Sequence, residues 1–418
     1  MLSDVFMPAG YPNSVSAGYF EYQLFDSLQA FSSSIAGLLA SRAVLEGFGV
    51  GDASASATQA LLLTITQDAV SRLATIMFAW RIGTALEPEA KRYRLLADIF
   101  NDGAMILDCL SPALPKHVRL FSLCVSGSLR ALCGVAAGGA KAALSVHFAR
   151  ANNVGDLNAK DSSQETVIGL LGMLAGSFVV SHATTQTATW TLLLLLLAIH
   201  LSTNYFAVRA VAMSSLNRQR ANLVYARFRV MGSVQSPAEV AKAERIFAAG
   251  GMLHDVKRKP IGWCEIGARL DHLLQVPKDG SPALPLSAQR TLQIFTNQKY
   301  ILWASSPKGY FSTRHYYSIC LEKGAGASDH LKPWVHAMEL AHMVNETGPI
   351  YMNSDRLLEL LEDSLLKVND IFPTLLQALV TAGWDVNNPA LVTRPSFRIS
   401  RTANAAWTGG RVESKKSK

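Results

Sequence analysis

The side chains best equipped for chemistry lie close together, where Asn152, Asn153, Asp156, Lys160, Asp161, Gln164 and Glu165 concentrate donors, acceptors and charge. An apolar stretch follows them, so the segment reads as a polar loop at the mouth of a helical bundle. Polar groups there need partners, and a small polar ligand would supply them. A plain structural role competes with this reading. Ser162 and Glu165 have the spacing of a capping box that opens the next helix, and Asn and Asp are ordinary turn residues.

Asp98 and Asp102 stand four apart in LLADIFNDGAMILD and share one helix face, an arrangement that could hold a cation or relay a proton. No His or third ligand sits at helical spacing, so a solvated face is the simpler expectation. His336, Glu339 and His342 follow HxxExxH, which is neither HExxH nor a repeated ExxH pair. No metal is expected there, and the three are read as a solvated helix face.

Two glycine motifs fail on spacing. EGFGVGD, with Gly47, Gly49 and Gly51, lacks the dinucleotide-loop pattern and follows a helical stretch, so it reads as a helix end and linker. GVAAGGAK places Ala140 ahead of Lys141 and Ala142 where a phosphate loop needs Ser or Thr. The five cysteines, at 109, 124, 133, 264 and 320, are odd in number and lack CxxC spacing. They read as reduced core thiols rather than a disulfide framework or zinc site.

The elements that carry these residues are apolar. The 418 residues are 49% hydrophobic and 17% charged, with a formal net charge of +8. Trp190 to Val208 contains no formally charged residue and approaches the roughly 20 residues that cross hydrocarbon. Thr166 to Val180 gives a second span, and the short link at His182 to Ala188 makes the two an antiparallel hairpin. Phe121 to Phe148 is a further candidate, whose Gly127, Gly134, Gly138 and Gly139, with Gly172 and Gly176 in the second span, permit close helix packing. Ser27 to Gly47 and Ala60 to Trp80 are helical but half-polar, as bundle-facing or interfacial helices would be. No cleavable signal opens the chain. Arg209, Arg218, Arg220, Arg227 and Arg229 follow the strongest span before any acidic residue, which places the C-terminal half and the Arg150 to Glu165 segment on the cytosolic side.

From about Met231 the composition becomes that of a soluble domain. Ser236, Pro237 and Glu239 mark a capped helix start, and Gly250-Gly251 its end. Tyr300 to Trp303 and His315 to Leu321 predict a hairpin around Ser306 to Gly309. Leu358, Leu361, Leu365 and Val368 form a core stripe on a helix that Pro373 interrupts and Gly383 stops. The short Lys257-Arg258-Lys259 run suits anionic headgroups, and without interleaved aromatics it gives no reason to expect nucleic acid. Lys415 and Lys416 have the positions of a C-terminal KKxx retrieval signal, which fits a cytosolic tail and the endoplasmic reticulum. The fold class is therefore mainly α, a multi-helix membrane bundle followed by a smaller soluble α+β domain. Its parts run 1–27 as a lead segment, 28–230 as the helical core, 231–393 as the α+β domain and 394–418 as a basic tail.

Long phrases of the chain are similar to the Root UV-B Sensitive family. They include PAGYPNSVS at Pro8 to Ser16, YFEYQLFDSLQA, EGFGVGDASASAT, LLADIFNDGAM, LNRQRANLV, the AGWD at Ala382 to Asp385, and above all GGAKAALSVHFARANNVGDLNAKDSSQET from Gly138 to Thr166. The resemblance implies a membrane-associated protein linked to vitamin B6 homeostasis, to UV-B responses and to early development. It also implies assembly with itself or a paralogue, and it fixes no reaction and no cofactor. With no long extension ahead of the domain, a plastid address is not expected. The B6 link makes Lys141 and Lys160 the lysines to consider for a Schiff base with pyridoxal phosphate, although nothing around either singles it out. Two functions follow from these readings: a membrane protein that binds or moves a small polar metabolite, and a non-catalytic adaptor that assembles with a paralogue.

Overall fold

A computed structural model describes residues 5–47, 57–274, 286–305, 314–348, 354–387, 390–394 and 396–400. Lys415, Lys416, Gly49, Gly51 and the turn at 306–309 lie outside the described residues. The chain forms two compact units, Met1–Ala212 and Met213–Lys418. The division falls earlier than the composition change near Met231, because the helix Arg218–Met231 buries Ala221, Val224 and Tyr225 in the core of the second unit.

Among its described residues the first unit is built on helices: α1 Tyr19–Gly47, α2 Ala57–Ile82, α3 Ala90–Leu110, α4 Lys116–Phe148, α5 Val154–His182 and α6 Gln186–Ala210. Among the described residues, five stretches are long and apolar enough to cross a membrane by length and composition, namely α1, Leu61–Ala85, α4, α5 and α6. The main packing pairs are α3 with α4, α1 with α6, α1 with α5, and α2 with α4. The expected hairpin is therefore not a packed pair, since α5 and α6 each pack on α1 instead. Glycines let α1 approach α5: a Cβ at Gly172 would lie 2.6 Å from Ser34 Cβ, and one at Gly176 2.6 Å from Leu38 Cδ1. Gly127 and Gly139 likewise admit the Gln67 and Leu86 side chains, whereas Gly134 and Gly138 face open space.

The polarity of this unit is inverted relative to an ordinary soluble bundle. Asp26, Arg94, Asp98, Asp102, Asp108, Asp161, His200 and Asn204 are buried, while Leu61, Leu73, Met77, Trp80, Leu174, Phe178, Leu195 and Phe206 are exposed. On α3 the inward face runs through Lys91, Arg94, Asp98, Asp102 and Met105 at helical spacing.

The second unit surrounds a five-stranded sheet: β1 Met252–His254, β2 Pro260–Ile266, β3 Tyr300–Ser305, β4 Tyr316–Glu322 and β5 Arg398–Ile399. The order is β1-β2-β4-β3, with β2 and β5 both running parallel to β4. β3 and β4 pair antiparallel as the alternation predicts, from Tyr300 against Leu321 to Ser305 against Tyr316. Around it lie α7 Arg218–Met231, α8 Pro237–Ala243, α9 Asp271–Leu274, α10 Leu286–Ile294, α11 Ala327–Thr347 and α12 Ser354–Thr381. The Ser236 and Glu239 capping box forms as expected, but α8 stops at Ala243, before Gly250. Pro373 does not interrupt α12. It lies on the exposed side, where the carbonyl left unbonded reaches water, while Leu365, Val368, Leu375 and Leu379 stay buried on either side of it. Gly383, at φ +91°, then ends the helix in the left-handed region.

Candidate functional site

The polar segment is helix rather than loop. α5 starts at Val154 with Asn153 as its N-cap, so Ser162 and Glu165 lie inside it and open no helix. The reason is local: Asp156 complements the helix N-terminus, Ala159, Lys160, Gln164 and Glu165 are good helix formers, and Leu157 and Asp161 bury one face.

This geometry separates the seven candidate residues. Asn152 adopts φ +53° in the turn ahead of the helix. Asp156 Oδ2 accepts the backbone N–H of Ala9 at 2.8 Å, and Gln164 donates to the carbonyl of Phe6. Those two hold the lead segment, which also bridges Val15 to Ala149. Lys160 is half-buried, one turn after Asp156. Asp161 and Glu165 point the other way, toward α4 and α1. Lys141 reaches Asp161 at 2.6 Å and Glu165 at 2.9 Å, and Gln23 donates to Asp161 at 3.0 Å.

Asp26 of α1 completes the group, because carboxylate oxygens of Asp26, Asp161 and Glu165 lie within 4.8 Å of one another. Three carboxylates thus face two cations, Lys141 and Arg94, the second of which is buried against Asp26. Glu165 and Lys141 form the open side, at 40% and 28% exposure, and Asp161 the closed one at 8%. Beside the cluster, Tyr19 and Tyr22 pack on Phe148 with ring centroids 5.3 Å apart in each pair. The Tyr19 hydroxyl is buried and faces Gln23 and Asp161. Lys141, ion-paired twice, is held as an ammonium, and an ammonium is no nucleophile for a Schiff base.

Asp98 and Asp102 are not on a solvated face. Both are buried, and the third group that spacing along α3 could not reveal comes from α6: His200 Nδ1 lies 2.7 Å from Asp102 Oδ1, and Nε2 lies 3.5 Å from Asp98 Oδ2. Asn204, one turn further along α6, donates to Asp98. His200 and Asn204 are four apart within the leucine-rich helix α6, a signal available in the sequence as polar residues in an apolar run.

HxxExxH in the second unit is also buried, with His336 and Glu339 fully enclosed. Glu339 accepts from Tyr225 at 2.7 Å, Arg229 at 2.9 Å and Lys367 at 2.6 Å. Burial would raise its carboxyl, but those three donors outweigh it and hold it below the usual carboxylate range. His336 contacts Ser364 Oγ at 2.9 Å and Tyr300 Oη at 2.9 Å, a Ser-His pairing with no access for a substrate. These are core contacts. All five cysteines are free, and burial pushes the Cys320 thiol up to about 12, as an inert core thiol requires.

A separate groove of about 480 Å³ between α2 and α4, lined by Val70, Leu120, Phe121 and Leu132, is apolar and carries none of the clustered charges.

The vitamin B6 photo-protection and homoeostasis domain matches residues 1–232, and the root UVB sensitive C-terminal domain matches residues 233–394. The chain is 42% identical over 250 residues to RUS family member 1 of Dictyostelium discoideum, covering 59% of this chain and 47% of that protein. It is 30% identical over 408 residues to Protein root UVB sensitive 3 of Arabidopsis thaliana, covering 96% and 87%. Protein root UVB sensitive 2, chloroplastic, of the same plant is 27% identical over 380 residues, covering 91% and 80%. The chain spans about half the length of the Dictyostelium relative and most of the two plant ones. No solved structure matches. With both domains present in order across residues 1–394, the chain belongs to the root UVB sensitive family, which is linked to vitamin B6 homoeostasis and photo-protection.

Proposed function

We propose that the first unit is a membrane-embedded bundle that binds, and passes across the bilayer, a small ammonium-bearing metabolite of vitamin B6 chemistry. The inverted polarity supports the membrane part. Water would penalise the exposed leucines and aromatics of α2, α5 and α6, whereas hydrocarbon accepts them and forces charges inward to pair. On this reading alkaline carbonate leaves the protein in the vesicle pellet. Its release into the supernatant would sink the membrane reading.

The observation that carries the ligand part is the trio Asp26, Asp161 and Glu165 around a single shared space, with one more negative charge than Lys141 and Arg94 supply. That excess attracts a monocation. The Tyr19, Tyr22 and Phe148 rings beside it suit an aromatic heterocycle, and the family's link to vitamin B6 makes pyridoxamine the natural probe. Purified full chain in detergent is expected to bind pyridoxamine in preference to the anionic pyridoxal phosphate. Asp161→Asn should weaken that binding about tenfold or more, as loss of a charge-assisted contact does. Equal affinity for wild type and Asp161→Asn would remove the site.

A further inference from the structure

We propose that His200, held between Asp98 and Asp102, is a proton-binding site coupled by charge to the acidic cluster, so that entry of a cation expels a proton. The cation's identity rests on the ligand reading above; the proton site stands on its own geometry.

Both ring nitrogens of His200 face carboxylates, at 2.7 Å and 3.5 Å. A neutral imidazole has one N–H and satisfies one of them, while the imidazolium satisfies both. Nearby, the acceptors Asp102 Oδ2 and Asn204 Oδ1 and the donor Arg94 Nε are buried with no hydrogen-bond partner. The charged groups that act on His200 are Arg94, Asp98 and Asp102 from α3, and that trio in turn faces Asp26 and Tyr22 from α1 and Cys133 from α4. Arg94 is the one permanent cation among them, and it already pairs with Asp26. A second proton on His200 gives each ring nitrogen an N–H toward the carboxylate it faces.

The link to the cluster is continuous. Asp26 shares the carboxylate trio with Asp161 and Glu165, pairs with Arg94, and Arg94 lies one turn from Asp98 on α3, which faces His200. Changing the net charge of such a buried network is costly, because water cannot screen it. When a monocation enters the cluster, loss of one proton from a His200 nitrogen to water leaves the total charge unchanged. No other bond changes and no electron moves.

The test uses full-length protein in detergent. Calorimetric titration with pyridoxamine in two buffers of different ionisation heat counts protons released, and the proton-binding curve of the ligand-free protein is compared with that of His200→Gln. Wild type is expected to release about one proton per pyridoxamine bound, and His200→Gln none. The ligand-free curves should differ by one proton-binding step. Asp102→Asn, which keeps the imidazole in place, should reduce the release and guards against misfolding of the first variant. Superimposable ligand-free curves, or pyridoxamine binding without proton release in wild type, would overturn the proposal. A proton step present in wild type and absent from His200→Gln, with no pyridoxamine bound, would keep the proton site and remove the ligand reading instead.

Discussion

Replacing Glu339 with alanine is expected to destabilise the second unit by about 3–5 kcal/mol, the range for removing one partner of a buried, hydrogen-bonded charge group. Glu339 joins three elements at once: Tyr225 and Arg229 from α7, Lys367 from α12, and its own α11. Lys367 is half exposed and can turn to water, so its loss costs little. Tyr225 is 1% exposed and cannot, so its hydroxyl is stranded. Arg229 keeps Glu346 at 2.7 Å but loses the neutralising charge at its Nε. Hydrogen exchange of the full chain reads the effect locally, as faster exchange in α7, α11 and the strands β3 and β4. A loss below about 1 kcal/mol in those segments would mean that the carboxylate is dispensable, against the usual cost of stranding buried donors.

The same buried polarity explains what could and could not be read from the sequence. Helix and strand identity followed from periodicity and caps: the helices over 166–180 and 190–208, the Ser236 start, the β3–β4 pairing and the Leu358 to Val368 stripe all sit where pattern places them. Those signals are local. Which face of a helix turns inward is not local, and hydropathy assigns polar faces to water by default. That default misplaced Asp98 and Asp102, whose partner His200 lies about a hundred residues away, and it misplaced His336, Glu339 and His342. The segment at 152–165 failed differently. Its Asn and Asp content resembles a turn, yet its two inward residues, Leu157 and Asp161, repeat at helical spacing and were available to be read. Asp161 and Glu165 were legible as candidates, whereas Asp26 and Lys141, from helices far apart in sequence, become their neighbours only through the packing of α1 and α4.

Acidification should weaken the second unit well before its carboxylates titrate, and His336 is the reason. Its network is complete only when the ring is neutral. The hydrogen-bond pattern assigns the proton to Nε2, which donates toward Ser364 Oγ and the Leu361 carbonyl, while Nδ1 accepts from the Tyr300 hydroxyl. A second proton on Nδ1 confronts that hydroxyl with a donor, and it brings a full charge into a place with no water. Burial accordingly pushes the His336 pKa down from 6.5 to about 3, only partly opposed by the bond to Leu361. Because the folded value lies below the unfolded one, the unfolded chain binds the extra proton first as the pH falls. Stability is therefore full above the ordinary histidine range and drains away as the pH drops from about 6.5 toward about 3. The accumulated loss is on the order of 4 kcal/mol. Burial lowers His342, His330 and His315 too, which adds to the loss with the same sign. His336→Gln removes the largest of these responses. Although less stable at neutral pH, it should lose less on acidification than wild type, measured as hydrogen exchange in α11 and α12 at two pH values. An unchanged acid sensitivity in that variant would place the proton elsewhere in the core.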